Sequence, residues 1–184
     1  MRIHYILIPA IIFLMMAPGL LQAKPGDGFS ISIGGGQNDY DSDQAGDSVS
    51  QSAFHVEFDY QFAIGESYSI SINGGEGGGG AKIASLPLVD FMKFGHLVLQ
   101  GRVWFGSYFF GVHGGRYSVA TTEDGYSGAA VSVFKSGMGF TIGAENEAGW
   151  FIALRHDQVG GVMLDNGPTY DISSTLLLLG FRFK

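Results

Sequence analysis

No cysteine occurs in the chain. Disulfide bridges, a thiolate nucleophile and thiolate metal sites are thereby excluded. Positive charge is scarce: Lys and Arg number 10 against 17 Asp and Glu, for a net charge of −7. That sign is wrong for a general nucleic-acid binder, which neutralises phosphates with cations. No long apolar run follows Ala23, so residues 24–184 hold no segment with the ~20 apolar residues of a membrane-spanning helix. With 30 glycines, each costing ~1 kcal/mol relative to Ala inside a helix, a mainly helical fold is disfavoured.

What the chain does have is apolar content without runs, 46% hydrophobic and 14% aromatic. Such residues belong either in a soluble core or at alternate positions of lipid-facing strands. The one apolar run, Tyr5 through Met16, follows Arg2, is broken by Ala17-Pro18-Gly19 and ends at Leu21-Gln22-Ala23. That order is a secretory signal, residues 1–23, cleaved to leave one domain over 24–184. An N-terminal membrane helix is the competing reading. Pro9 and Pro18 disfavour it, in a run already shorter than a span.

Period-two alternation then recurs along the chain and marks eight strands. Phe29, Ile31 and Ile33 alternate with Ser30, Ser32 and Gly34; Phe54, Val56, Phe58, Tyr60 and Phe62 with His55, Glu57, Asp59 and Gln61. Tyr68, Ile70 and Ile72 form a third face, and Leu97, Leu99, Val103 and Phe105 a fourth, opposite Gln100 and Arg102. Weaker alternation runs through Tyr108–Val112, Phe134–Ile142 and Trp150–Leu154. The last strand is the most telling. Thr175, Leu177, Leu179, Phe181 and Phe183 share one face; Ser174, Gly180 and Arg182 share the other with Leu176 and Leu178. A strand apolar on one side and carrying Arg on the other suits a wall between hydrocarbon and a polar lumen.

Connections alternate in length. Short links fall near Gly65-Glu66, Gly106-Ser107 and Asn146-Glu147-Ala148, and longer ones near 37–49, 74–92, 121–128 and 157–169. Together these features predict an all-β fold: an eight-stranded antiparallel up-and-down transmembrane β-barrel in the outer membrane. A secreted β-sandwich is the alternative. It needs neither bulky apolar residues at nearly every outward position nor this short–long rhythm.

The lumen-facing positions carry Glu57, Asp59 and Glu145 as acids and Arg102, Arg155 and Arg182 as bases, with Lys135 a further candidate. In so narrow a barrel these charges must pair or be hydrated. A structural salt-bridge network is the first reading, and a proton or ion path the second. Gly34, Gly36, Gly137, Gly139 and Gly143 would leave room for the long side chains or bend the wall.

Four local features invite chemistry. Asp39, Asp41, Asp43 and Asp47 suggest a calcium loop, but Gln44 and Ser50 stand where an EF-hand needs Gly and Glu. Solvated turns, or weak cation binding beside lipopolysaccharide, are the remaining options. The run Gly74–Gly80, with Glu76 inside it, opens no helix, which disfavours a phosphate cradle and predicts a mobile loop. Ile83 to Met92 is unusually apolar for an external loop and would cover the barrel mouth, touch the outer leaflet or guide an apolar ligand. His55, His96 and His113 lie on separate strands without metal-ligand spacing and read as lone wall residues. No metal ligand, cofactor or catalytic residue is assigned.

The fourth feature, Arg155-His156-Asp157-Gln158-Val159 on the seventh strand, resembles the lipid A 3-O-deacylases, which are eight-stranded outer-membrane barrels. His156 matches that family's His. Gln158, Val159 and Tyr170 (with Asp171 next) stand where its Ser, Asn and Glu would be, so the attacking hydroxyl is missing. The whole chain from residue 24 resembles the opacity-type and OmpX-like barrels, ending in a terminal strand similar to their insertion signal, with Lys184 after Phe183. That resemblance implies a non-catalytic structural or surface-contact role. Its expected partners are outer-membrane lipid, lipopolysaccharide, the barrel-assembly machinery and a surface ligand. An OmpW-like conduit or binder for small apolar molecules, entered at Ile83–Met92, is the alternative, and a deacylase-like enzyme the third.

Overall fold

A computed structural model describes residues 26–42, 48–64, 66–80, 89–123, 131–163 and 169–183. The expected signal segment and the centres of four loops, with most of Ile83–Met92, lie outside the described residues. Eight strands follow one another: β1 (Gly28–Ser42), β2 (Ser48–Ala63), β3 (Tyr68–Gly80), β4 (Val89–Phe105), β5 (Tyr108–Glu123), β6 (Val131–Glu145), β7 (Trp150–Met163) and β8 (Thr169–Phe183). Each pairs antiparallel with the next, and β1 pairs with β8 from Phe29↔Phe183 to Ser42↔Tyr170, closing the cylinder.

The expected faces are observed. Phe29, Ile31, Phe58, Ile72, Leu99, Val112, Met138 and Leu179 point outward, while Ser30, Glu57, Asp59, Gln100, His113, Arg155 and Arg182 are buried inside. An open sheet would leave edges unpaired in lipid; closure gives each strand a paired neighbour on both sides. At the short-turn end a run of rings passes from Phe58 through Phe29, Phe183 and Phe181 to Trp150, with successive centroids 6.0, 6.3, 5.1 and 5.1 Å apart. Aromatic girdles of this kind mark the edge of the hydrocarbon. The turns beneath are tight. Gly106 adopts φ 64°, a left-handed conformation costly for other residues, in the link from β4 to β5.

The strands are longer than the sequence suggests. Parts of all four expected long loops, including Gln37–Ser42, Gly74–Gly80, Thr121–Glu123 and Asp157–Met163, are strand. Alternation there does not announce itself as lipid-facing, because its sense reverses. Above the belt the outward positions include Asp41, Ser50, Ser52, Glu76, Lys93, Arg116, Ser136, Gln158 and Asp171, all exposed, with Phe134 and Met163 as exposed apolar exceptions. The inward positions become Tyr40, Phe94, Tyr117, Val119, Val159, Val162, Tyr170 and Ile172, which pack as one apolar cluster. The strand ends therefore form a water-facing barrel with an ordinary apolar core, standing on a membrane barrel with a polar one. Burial pushes the Tyr40 hydroxyl up to about 12, so that core stays uncharged.

The glycine run is corrected from loop to strand. Gly74 to Gly78 pair in register with Phe58 to Phe54 of β2. Glycine leaves no side chain to alternate, so the sequence pattern vanishes although the strand does not. In β7 a bulge falls at Gly160-Gly161, between Val159 and Val162, with Gly161 at φ 66°.

Leu99, midway along β4 and 59% exposed, tests the belt. Leu99→Arg is expected to cost about 2–4 kcal/mol in urea titrations of folding into lipid vesicles, whereas the charge in Phe105→Arg, at the strand end, costs about 0–1 kcal/mol. Equal losses at both positions would contradict this placement of the membrane.

Candidate functional site

Charge inside the barrel is organised in two tiers. Nearer the short turns, Arg102 from β4 forks onto Asp59 of β2, with Nη1 and Nη2 donating to Oδ2 and Oδ1 at 3.1 and 3.2 Å. The same two nitrogens donate to Gln61 and Gln100 at 2.6 and 2.7 Å. Arg182 of β8 donates to Glu145 at 3.0 Å and to Asp59 at 3.3 Å. Arg102 also lies over the Phe109 ring, 5.2 Å from its centroid. Trp104 packs on that ring and donates its indole N–H to Ser69 at 2.9 Å.

The upper tier is built on Arg155 of β7. Its Nε and Nη2 donate to Asp157 at 2.8 and 2.9 Å, and Nη1 reaches across the lumen to Glu57 at 3.2 Å and Asn73 at 2.5 Å. Asp157 also accepts from His113 Nε2 and from the Tyr117 hydroxyl, each at 2.7 Å. Every one of these groups is buried. A guanidinium this deep is tolerable only because carboxylates and an amide oxygen take its donors.

Glycine makes the space. A Cβ at Gly137 would meet the Tyr117 ring at 2.8 Å, one at Gly139 would strike His113, and one at Gly143 would meet Phe109 at 2.6 Å. Between the tiers lies a cavity of about 20 Å³, bordered by Ser32, Asp59, Gln100, Thr141 and Arg155 among others. Above them the apolar cluster of Tyr40, Phe94, Tyr117 and Tyr170 fills the lumen. Chemically, this arrangement holds buried charge in fixed partners and leaves room for water rather than for a solute.

Glu57, Asp59, Arg102, Glu145, Arg155 and Arg182 are all buried in the lumen, each in at least one ion pair. Lys135 faces inward but is only half buried. Sequence reading missed Asp157, assigning it to a loop, and with it Asn73, His113 and Tyr117. Period-two counting from Arg155 would have found Asp157. The histidines are a further correction. His55 and His96 are not lone wall residues: their rings stack with centroids 5.3 Å apart, and His55 Nδ1 lies 3.6 Å from Glu57 Oε1. They sit on β2 and β4, which are not adjacent, so no spacing along the chain announces the contact.

Outside the wall, His156 faces the apolar belt, with Nδ1 2.9 Å from the Thr175 hydroxyl and its ring beside Phe140. Gln158 is also outward, but Tyr170 is buried inside. Of the positions compared with a deacylase triad, His156, Gln158 and Asp171 lie outside the wall and Tyr170 inside. Asp39 and Asp41 belong to β1, where Asp39 accepts from Gln37 at 2.7 Å and from Ser50; Asp43 and Asp47 lie outside the described residues.

No protein-family model matches the sequence, and no curated protein matches it. Solved structures do match. Neisserial surface protein A (NspA) is 10% identical, with 86% of this chain and 99% of that one covered at a TM-score of 0.59. Ail, the attachment invasion locus protein of Yersinia pestis, is 16% identical, with 85% and 99% covered and a TM-score of 0.55. OprG from Pseudomonas aeruginosa is 14% identical, with 89% and 99% covered and a TM-score of 0.50. With a closed eight-stranded cylinder, an apolar belt and a charged lumen, the likeness is one of fold from end to end. The chain has the fold of the small outer-membrane β-barrels.

In this barrel Arg155→Ala would strand Glu57 and Asp157 without their shared cation. A loss of about 3–5 kcal/mol is expected on urea unfolding in detergent. Lys93→Ala, which breaks a 3.5 Å pair with Glu76 between side chains 50% and 68% exposed, is expected to cost less than about 1 kcal/mol. Similar losses from the two variants would mean that the lumen charges do not depend on Arg155.

Proposed function

We propose that this barrel is a non-catalytic surface-interaction protein whose working part is the water-facing extension above the membrane. The observation that carries the reading is the continuation of the strands past the apolar belt as a polar-outside, apolar-inside barrel over a filled lumen. A conduit along the axis needs open space, whereas an interaction platform needs rigidity, and paired strands supply rigidity better than loops. The rim is acidic: Asp39, Asp41, Glu76 and Asp171 stand against Lys93 and Arg116. The intervening loop sequences add Asp43, Asp47, Asp124 and Asp165 against Lys82. Ail has been crystallised with the heparin analogue sucrose octasulfate, a polyanion. The rim of this chain has the opposite preference and suits a basic partner. Lipopolysaccharide is its lipid neighbour, and the terminal strand its handle for the barrel-assembly machinery.

A second reading, a binder for small apolar molecules, is favoured by one feature of the wall. Pairing of β6 with β7 stops at Gly137↔Val159, and a recess of about 590 Å³ opens there, lined by Met138, Gln158, Val159 and Ile172 among others. It lies in the side of the barrel, whereas the sequence pointed to Ile83–Met92 as the entrance.

Vesicles carrying the folded barrel test the first reading. They are expected to bind beads coated with polylysine and not beads coated with heparin, with binding lost in high salt. In planar bilayers the barrel is expected to carry no stepwise current. Steady channel conductance, or heparin binding stronger than polylysine binding, would overturn the reading.

A further inference from the structure

On the lumen side of β3, Gly75 pairs with Glu57 of β2 on one side and His96 of β4 on the other, and Gly77 pairs with His55. A Cβ at Gly75 would lie 2.8 Å from the His96 ring and 2.9 Å from Glu57 Cγ; one at Gly77 would collide with the His55 ring. The absent side chains leave a trough across β3. Side chains from β2 and β4 meet over it, with one ligating atom from each of His55, Glu57 and His96 within 4.8 Å of the others. All three residues are buried.

Hydrogen bonds fix which nitrogens remain free. The Phe94 carbonyl can only accept, so His55 Nε2, 3.0 Å away, carries a proton. Arg155 Nη1 can only donate, which holds the Asn73 side-chain oxygen toward it at 2.5 Å. His96 Nε2 lies 2.5 Å from that same oxygen and must also donate. Each neutral ring then presents a lone pair at Nδ1. Neither Nδ1 has a hydrogen-bond partner, and neither has Glu57 Oε1, whose sister oxygen takes Asn73 and Arg155. The three residues that converge on the trough are thus each left with a buried lone pair that no protein group satisfies, a costly state unless a cation or water meets it.

The charge balance points to the same place. Among the described residues, the buried charged side chains comprise four carboxylates and three guanidiniums. Asp59 and Glu145 are matched by Arg102 and Arg182. Glu57 and Asp157 share one guanidinium, Arg155, with His113 against Asp157 and His55 beside Glu57, so with neutral imidazoles the upper tier is one positive charge short beside the trough.

We propose that His55, His96 and Glu57 form a binding site for a divalent transition-metal ion, zinc above all, inside the barrel. Two imidazoles and one carboxylate suit zinc and its neighbours, whereas calcium and magnesium prefer oxygen alone. Phe94 and Asn73 hold the imidazoles from behind, as carbonyl acceptors do for metal-bound histidines. Tetrahedral zinc with bonds of ~2.0–2.2 Å sets its ligands ~3.3–3.5 Å apart. His55 Nδ1 and Glu57 Oε1, at 3.6 Å, nearly meet that spacing, and a ring nitrogen of His96 lies within 4.8 Å of a ligating atom of each. Three protein ligands leave the fourth position to water. With the lumen filled above and below, the ion enters as the barrel closes during folding.

The test is to fold the chain lacking its signal from urea into detergent with zinc chloride or cobalt chloride, desalt it, and measure retained metal by mass spectrometry. Wild type is expected to keep about one zinc per barrel, and cobalt to give the visible bands of a tetrahedral site. His156→Gln, on the outer wall, should keep the metal. The double variant His55→Gln/His96→Gln retains an N–H donor near each Nε2 but no ring lone pair, and should hold at least roughly tenfold less. Folding of every variant is read from the gel shift between heated and unheated samples. A folded wild type without metal, or a double variant holding as much as wild type, would overturn the proposal. Should the double variant not fold, octahedral rather than tetrahedral cobalt bands in wild type would overturn it equally.

Discussion

An eight-stranded cylinder is so narrow that side chains, not solvent, must fill it. Any charge placed inside must therefore be met by another side chain, and Arg155 is where this demand is greatest. Its guanidinium ties β7 to Asp157 on its own strand and to Glu57 and Asn73 on β2 and β3. Asp157 carries the connection on to His113 and Tyr117 of β5. One ion pair thus links strands that share no backbone ladder, and brings the far walls of the cylinder into a single network. The lower tier repeats the device with Arg102 and Arg182 around Asp59.

Above the belt the same strands solve the opposite problem. Water now bathes the outside, so Asp41, Ser50, Glu76 and Asp171 face outward and Tyr40, Phe94, Val119 and Tyr170 fill the interior. The strand direction and period are unchanged; only the assignment of polar and apolar residues to the two faces is exchanged. Phe94 and Tyr117 stand at the crossover. Phe94 packs in the apolar cluster while its carbonyl accepts from His55, and Tyr117 packs there while its hydroxyl donates to Asp157. The membrane barrel and its extension are therefore one packed object rather than a pore with a rim of loops.

The fold was readable in the sequence because lipid imposes a rule on every outward residue of the belt, and Phe54 to Phe62 or Leu177 to Phe183 obey it without exception. The lumen charges were readable for the same reason, by taking the other parity. Two things were hidden. Where the polarity of the faces reverses, as from Gln37 to Ser42, alternation persists but looks like loop sequence. Where side chains are absent, as from Gly74 to Gly80, there is nothing to alternate. The histidine cluster was hidden more deeply. His55 and His96 meet only because two glycines on the strand between them have no side chains, which is a relation in space with no counterpart in spacing.

Buried ion pairs seldom add much net stability over well-packed apolar residues, since desolvation offsets most of their attraction. Their value here is better sought in register. A slip of one residue along β7 would turn Arg155 and Asp157 into lipid and bring Leu154 and His156 inside, an exchange far costlier than a misplaced leucine. β3 has greater need of such a lock. Its upper half is nearly all glycine, so its own side chains cannot choose between adjacent registers with β2 and β4. The choice is made over its head, by His55 and Glu57 on one flank and His96 on the other, which meet only when Gly75 and Gly77 lie beneath them. A group that binds all three would tighten that choice, so the glycines, the histidines and the strand order are parts of one constraint.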